Sequence, residues 1–302
     1  VKRPVSIVES VSLNAENSAI KDFLLLIKFR LSFVVVLSSV LAFLLATPAV
    51  SSIALLVLFF GGFFVTGAAN ALNQIIERDY DSLMVRTAGR PIAAGRMSVS
   101  TALLIAGFMS LLGISLLALF NPLTSFLGMI ALISYSFIYT PLKRKSRFAV
   151  AVGAFPGALP VIIGVTAAVG EINSLAIALF GIQFLWQFAH FWSIAWLADR
   201  DYKAAGFVLL PGKTGEKDSS VGFQSLVYSL LLIPFSLLPW IFGSVSLFAA
   251  IVAIAIAVWY CHRSWDLYKF CSDRAARKLM FASFVYLPLV LTVFLLDSNI
   301  MG

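Results

Sequence analysis

The stretch FFGGFFVTGAANALNQIIERDYD, Phe59 to Asp81, decides how the chain is read. It is apolar almost to Asn70, then sets Glu77, Asp79 and Asp81 within five residues. A helix needs roughly 20 apolar residues to cross the bilayer core, and counting back to Ser52 supplies them. Charge therefore stands at the mouth of a spanning helix, where ionisable groups are costly and mark sites.

The whole chain shares this character. Of 302 residues, 61% are hydrophobic and 12% charged, against about half and a quarter in soluble domains. Segments 24–47, 52–74, 100–120, 123–141, 149–169, 173–197, 222–242, 245–261 and 279–297 each meet the spanning criterion. The expectation is an all-α integral membrane protein of about nine transmembrane helices. Residues 22–302 would form one domain behind a polar cytoplasmic segment, 1–21. That segment has no apolar core and does not read as a secretory signal peptide. Cys261 and Cys271 form neither a disulfide framework nor a metal-ligand spacing.

All 22 Lys and Arg lie in the N-terminal segment, at the edge of the first helix, or in connections 75–99, 142–148, 198–221 and 262–278. The positive-inside rule places these in the cytoplasm, and an odd number of spans puts the C-terminus outside. The net charge of +8 is then topological, facing anionic headgroups, and gives no reason to expect nucleic acid. The segments ERDYD (77–81) and DRDYK (199–203) end the second and sixth spans. They suggest a pseudo-repeat whose carboxylates converge on one cavity.

Residues four apart share a helix face, so Asn73, Glu77 and Asp81 form one stripe, with Asn70 on it and Asp79 off it. An amide and two carboxylates suit Mg²⁺, which takes one or two carboxylates plus substrate phosphates. Arg86 and Arg90 follow, and arginine suits bidentate phosphate binding. Asp199 and Asp201 offer a second Mg²⁺ position; two metals bridged by a diphosphate would neutralise a departing pyrophosphate. Self-paired loop charges are the bland alternative in both places. Lys143, Arg144, Lys145 and Arg147 follow Pro141, which ends or kinks its helix. They read as a topological anchor or a diphosphate tether. His190 lies among Trp186, Phe188, Phe191 and Trp192, as an iron ligand or as a hydrogen-bonded packing residue. GKTGEK (212–217) lacks the glycine spacing and preceding strand of a phosphate-binding loop.

Several of these segments, in order, carry a resemblance. They are IKFR (27–30), NxxxERDxD (73–81), MxRTxxRP (84–91), GRMS (95–98), YTPLKR (139–144), the Gly/Pro run 153–164, WQxxHF (186–191) and DYKAAGFxxLP (201–211). The pattern resembles the intramembrane prenyltransferases of the UbiA superfamily, and within it the branch of protohaem IX farnesyltransferases, the haem O synthases. The resemblance implies a helical bundle around a central cavity capped by cytoplasmic loops, in the bacterial inner membrane. It implies Mg²⁺-assisted departure of diphosphate from farnesyl diphosphate and farnesyl transfer to a vinyl group of protohaem. By position it assigns metal binding to Asn73, Glu77, Asp81, Asp199 and Asp201. Catalysis falls to Asp81, Asp201 and Lys143. Diphosphate binding falls to Arg86, Arg90, Lys143, Arg144 and Lys203, and the haem side to His190, Trp186 and Gln187. Haem A synthase or oxidase-assembly proteins become candidate partners.

The chain departs from the pattern in places. Glu77 stands where Asp is commoner, Phe29 and Ala189 replace prolines, and Lys203 and Ala205 follow Asp199 and Asp201 by four residues. Prenylation of an aromatic quinone precursor is the nearest rival. An ion-coupled transporter would want carboxylates near mid-membrane. A non-catalytic haem carrier would want paired histidines, which His190 and His262, placed in a connection, do not supply.

Overall fold

In lipid every backbone polar group must be bonded internally, and the apolar runs accordingly fold as helices. The computed structural model describes residues 19–47, 51–212 and 215–301, the last three by backbone alone. Most of the polar N-terminal segment, residues 48–50, Lys213, Thr214 and Gly302 lie outside the described residues. In chain order the helices are α1 (Ala19–Leu26), α2 (Phe29–Ala46), α3 (Ser52–Asp81), α4 (Val99–Ala118), α5 (Pro122–Ile133), α6 (Ala149–Val169), α7 (Ser174–Leu197), α8 (Asp199–Ala204), α9 (Ser219–Ile241), α10 (Leu247–Phe270) and α11 (Asp273–Met301). A π-helical turn, Ser134–Tyr139, extends α5. Ser98, Asn121, Asn173, Asp218 and Ser246 each accept a first-turn backbone N–H, which fixes where five helices begin. Among the described residues nine helices are long and apolar enough to cross a membrane.

α3 carries its helix past the apolar run to Asp81, as the stripe of Asn73, Glu77 and Asp81 requires. Two boundaries differ from expectation. The connection 262–278 is almost wholly helical, so His262 sits on α10. The first span breaks at Lys28, whose φ of 47° and ψ of 57° are left-handed, a strained conformation for a residue with a Cβ.

α3, α4 and α5 pack in sequence, while α7, α9, α10 and α11 form a second group; α2 and α6 join the two. α6 is the most buried span. Small residues let membrane helices approach closely. At Gly164 an added Cβ would lie 2.1 Å from the Ser39 carbonyl oxygen of α2. Alternation of the spans brings connections 82–98, 143–148, 198–218 and 271–272 to one end.

Candidate active site

The stripe read from the sequence exists. Asn70, Asn73, Gln74, Glu77 and Asp81 are all buried along α3. Asp79 faces outward and pairs with Arg78 at 3.3 Å. Three cations from three other elements close on the stripe. Lys28 Nζ donates to Asn73 Oδ1 at 3.0 Å, and Lys143 Nζ to Glu77 Oε1 at 2.8 Å. Arg90 Nη1 lies 2.7 and 2.6 Å from the two oxygens of Asp81.

Each cation is placed by a local irregularity. A helix end leaves carbonyls without partners. Where α1 stops, the Gln74 amide bonds those of Leu25 and Leu26, at 2.8 and 2.9 Å. The left-handed turn that follows carries Lys28 inward over Asn73. Proline lacks an N–H and crowds the carbonyl four residues back. The chain reaches Pro141 through the π-helical turn, a feature common at functional sites. Thr140 Oγ1 donates to the Tyr135 carbonyl and accepts from Asn73 Nδ2 at 3.1 Å, so the turn is fastened to the stripe just before Lys143. Gly153 leaves room for the Tyr139 ring, which an added Cβ would meet at 2.5 Å; Lys143 Nζ lies 4.7 Å from that ring's centre. The loop bearing Arg90 is held by Thr87 Oγ1 donating to the Asp81 carbonyl at 2.9 Å. Arg96 also binds buried Asp22 of α1 at 2.8–3.1 Å.

Burial, then the charges of Arg90 and Lys143, hold the Lys28 ammonium well below the usual lysine range. Burial is the largest influence on Lys143 and pulls it down, but Glu77, Tyr135 and Tyr202 together outweigh this and raise its ammonium. The site is thus cation-rich and already places positive charge where an anion's counter-charges would be needed.

The second acidic segment meets the loop after α3. Asp201 Oδ2 accepts the Arg86 backbone N–H at 3.1 Å, and Arg86 Nη2 donates to the Tyr202 hydroxyl at 3.4 Å. Asp199 pairs with Lys203 at 3.1 Å, and Lys203 with Glu216 at 2.5 Å. Those two hydrogen bonds, Glu216 first, raise the Lys203 ammonium. A pocket of about 130 Å³ beside Asp199 is lined also by Tyr202, Lys203 and Phe207. Phe207 is buried between Tyr80 and Tyr202, with ring centres 6.2 and 5.9 Å away. It packs over Lys143, 5.9 Å from Nζ. Its neighbour Val208 donates its backbone N–H to the Lys143 carbonyl at 3.0 Å. Arg144 hydrogen-bonds the Tyr80 hydroxyl and stacks on its ring.

His190 lies nine residues before Asp199, about 13 Å along the helix axis. Its ring stacks on Trp186 with centres 4.7 Å apart, and Nδ1 lies 2.7 Å from Ser283 Oγ of α11. A serine hydroxyl has one hydrogen, and that of Ser283 goes to the Met280 carbonyl at 2.6 Å. Nδ1 must then be the donor, which leaves the lone pair on Nε2. Trp186 Nε1 donates to the Ser283 carbonyl at 2.9 Å. Gln187 turns the other way, its amide bonding the Ala154 and Gln183 carbonyls.

The structure therefore brings Asn73, Glu77, Asp81, Arg90 and Lys143 into one buried cluster. It gathers Asp199, Asp201 and Lys203 in a second, joined to the first loop by Arg86. His190 and Trp186 sit against α11, and Gln187 against α6. Sequence reasoning missed Lys28, Thr140, Phe207 and Ser283. Lys28, Thr140 and Phe207 lie inside the matching segments IKFR, YTPLKR and DYKAAGFxxLP, which was a usable signal; Ser283 carries none without the fold.

The sequence model of the UbiA prenyltransferase family matches residues 35–285. Similar relatives include the protoheme IX farnesyltransferase of Cytophaga hutchinsonii, 44% identical over 93% of this chain and 99% of that protein. Another is that of Christiangramia forsetii, 41% identical over 95% and 96%. Solved folds that superpose include a digeranylgeranylglyceryl phosphate synthase at TM-score 0.76 and 18% identity, covering 92% of this chain and 98% of that one. A UbiA homologue from Archaeoglobus fulgidus bound to GPP and Mg²⁺ superposes at TM-score 0.67 and 16% identity, covering 90% and 99%. The nine spans, the buried stripe of α3 and the family match agree: the chain belongs to the UbiA prenyltransferase family and is an integral membrane protein.

Proposed function

We infer that this chain transfers the farnesyl group of farnesyl diphosphate to a vinyl group of protohaem IX, giving haem O. The single observation that carries the chemistry is the buried set of Asn73, Glu77 and Asp81, each with an oxygen already within 3.0 Å of a cation. The names of relatives at 41–44% identity supply the substrates.

The donor set fits Mg²⁺, for it offers an amide oxygen and two carboxylates with phosphate oxygens to complete the shell. Bound there by Asn73, Glu77 and Asp81, the ion would neutralise charge developing on the leaving diphosphate. The chain's own cations do the rest. Lys143, Arg90 and Lys28, displaced from the stripe, bind the diphosphate oxygens, with Arg86 and Arg144 at the cytoplasmic rim. The C–O bond of farnesyl diphosphate breaks with both electrons leaving on diphosphate. The vinyl group of protohaem attacks the allylic carbon to form the C–C bond. Water then adds to the porphyrin-stabilised cation and loses a proton, which leaves the hydroxyl. Until that step the site must keep water from the allylic cation, and aromatic faces stabilise it. His190, with its Nε2 lone pair free and Trp186 stacked on it, is the proposed haem iron ligand. The membrane is the bacterial inner one, with the charged loops cytoplasmic.

The test is product analysis. Purified protein given farnesyl diphosphate, Mg²⁺ and protohaem should yield haem O and pyrophosphate. Unmodified haem together with prenylation of an aromatic acid would move the assignment to a quinone precursor.

A further inference from the structure

Asp199 and Asp201 were expected to hold a second metal, and the geometry disagrees. Successive residues on a helix turn by about 100°, so Asp199 and Asp201 diverge by roughly 200° and cannot close on one ion from one face. Asp201 accepts the Arg86 backbone N–H, which makes it a clasp between the two loops. The residue that shares Asp199's face, four positions on, is Lys203, its ammonium 3.1 Å from the carboxylate. Where a second carboxylate would complete a chelate, the chain puts a fixed positive charge. An exposed ion pair is weak, so the pairing itself is no barrier. The barrier is the sign of the charge and the single ligand left facing the ion.

Charge balance at the α3 stripe agrees. Lys28, Arg90 and Lys143 face two carboxylates, Glu77 and Asp81. A prenyl diphosphate with roughly three negative charges and one divalent cation brings this buried group to neutrality. A second divalent cation would need carboxylates of its own, and Asp199 is paired with Lys203 while Asp201 accepts the Arg86 N–H.

We propose that this chain works with one divalent cation, held at the α3 stripe, and that Lys203 takes the place of a second at the Asp199 position. This rests on the farnesyl diphosphate reading above. The test counts metal, not turnover. The purified full chain in nanodiscs, saturated with the unreactive analogue farnesyl S-thiolodiphosphate, is titrated with Mn²⁺ and followed by electron paramagnetic resonance. One bound Mn²⁺ per chain is expected. Lys203→Asp, at an exposed position, places carboxylates four apart and should raise the count to two, with dipolar broadening between the ions. Two ions in the unsubstituted protein would overturn the proposal while leaving the substrate reading intact. One ion in Lys203→Asp would overturn the role given to Lys203. Failure of the analogue to bind, with or without Mn²⁺, would overturn the substrate reading and the proposal with it.

Discussion

Asp81 is 1% exposed and holds Arg90 through both oxygens, so its charge matters more than its shape. Asp81→Asn keeps the shape and removes the charge. Turnover should fall by about 100-fold or more, the scale of losing one preorganised electrostatic contact, with helicity and detergent stability close to the parent. Near-normal turnover would sink the metal assignment. At the haem end, His190→Ala should weaken protohaem binding and alter its Soret band while leaving binding of the farnesyl analogue within about twofold. Ser283→Ala frees the imidazole to choose its tautomer and should weaken haem about 10-fold, the low end for a ligand-orienting partner. Equal loss of both substrates would mean packing alone. At this scale much was legible: the four-residue spacing alone put Asn73, Glu77 and Asp81 on one buried face and left Asp79 out. Ser283 was not legible, because its partner lies 93 residues away.

Helices carry the next layer. α2 and α6 touch where Gly164 meets the Ser39 carbonyl. Gly164→Ala forces the two apart and should cost about 3 kcal/mol, the upper end for overpacking, read as a lower unfolding temperature in detergent. A change below ~0.5 kcal/mol would mean the interface yields freely. Element type and number were readable from apolar runs, since lipid allows few alternatives to helix. Boundaries were not. α3 continues past its apolar run because Asn73, Gln74, Glu77 and Asp81 each find a partner, although Gln74 Oε1 has none. The break at Lys28 was hidden too, because IKFR carries neither glycine nor proline.

For the whole molecule, the connections rich in Lys and Arg share one end, and Cys271 lies there, exposed, between α10 and α11. Cys261 is buried. The native chain therefore has a reporter of its orientation. A membrane-impermeant maleimide should label Cys271 in inside-out vesicles and not in right-side-out spheroplasts. The reverse pattern would invert the topology. The expected orientation rests on charge placement alone, a one-dimensional signal, and this labelling tests it. The meeting of Arg86 with Asp201, 115 residues apart, was foreshadowed only by the echo of ERDYD in DRDYK.

Phe207 has a consequence for yield. Its backbone neighbour is bonded to Lys143 and its ring packs over the same residue, so the ring cannot shift without disturbing the residue proposed above to bind the leaving diphosphate. An allylic cation that meets water early becomes farnesol, and the isoprenoid is lost to the cell. Phe207→Ala should raise the ratio of farnesol to haem O several-fold while total diphosphate release falls less than about 10-fold. An unchanged ratio would place the water barrier elsewhere. The quantity this substitution reads is fidelity: how many farnesyl groups leave the site attached to a porphyrin, and how many leave as alcohol.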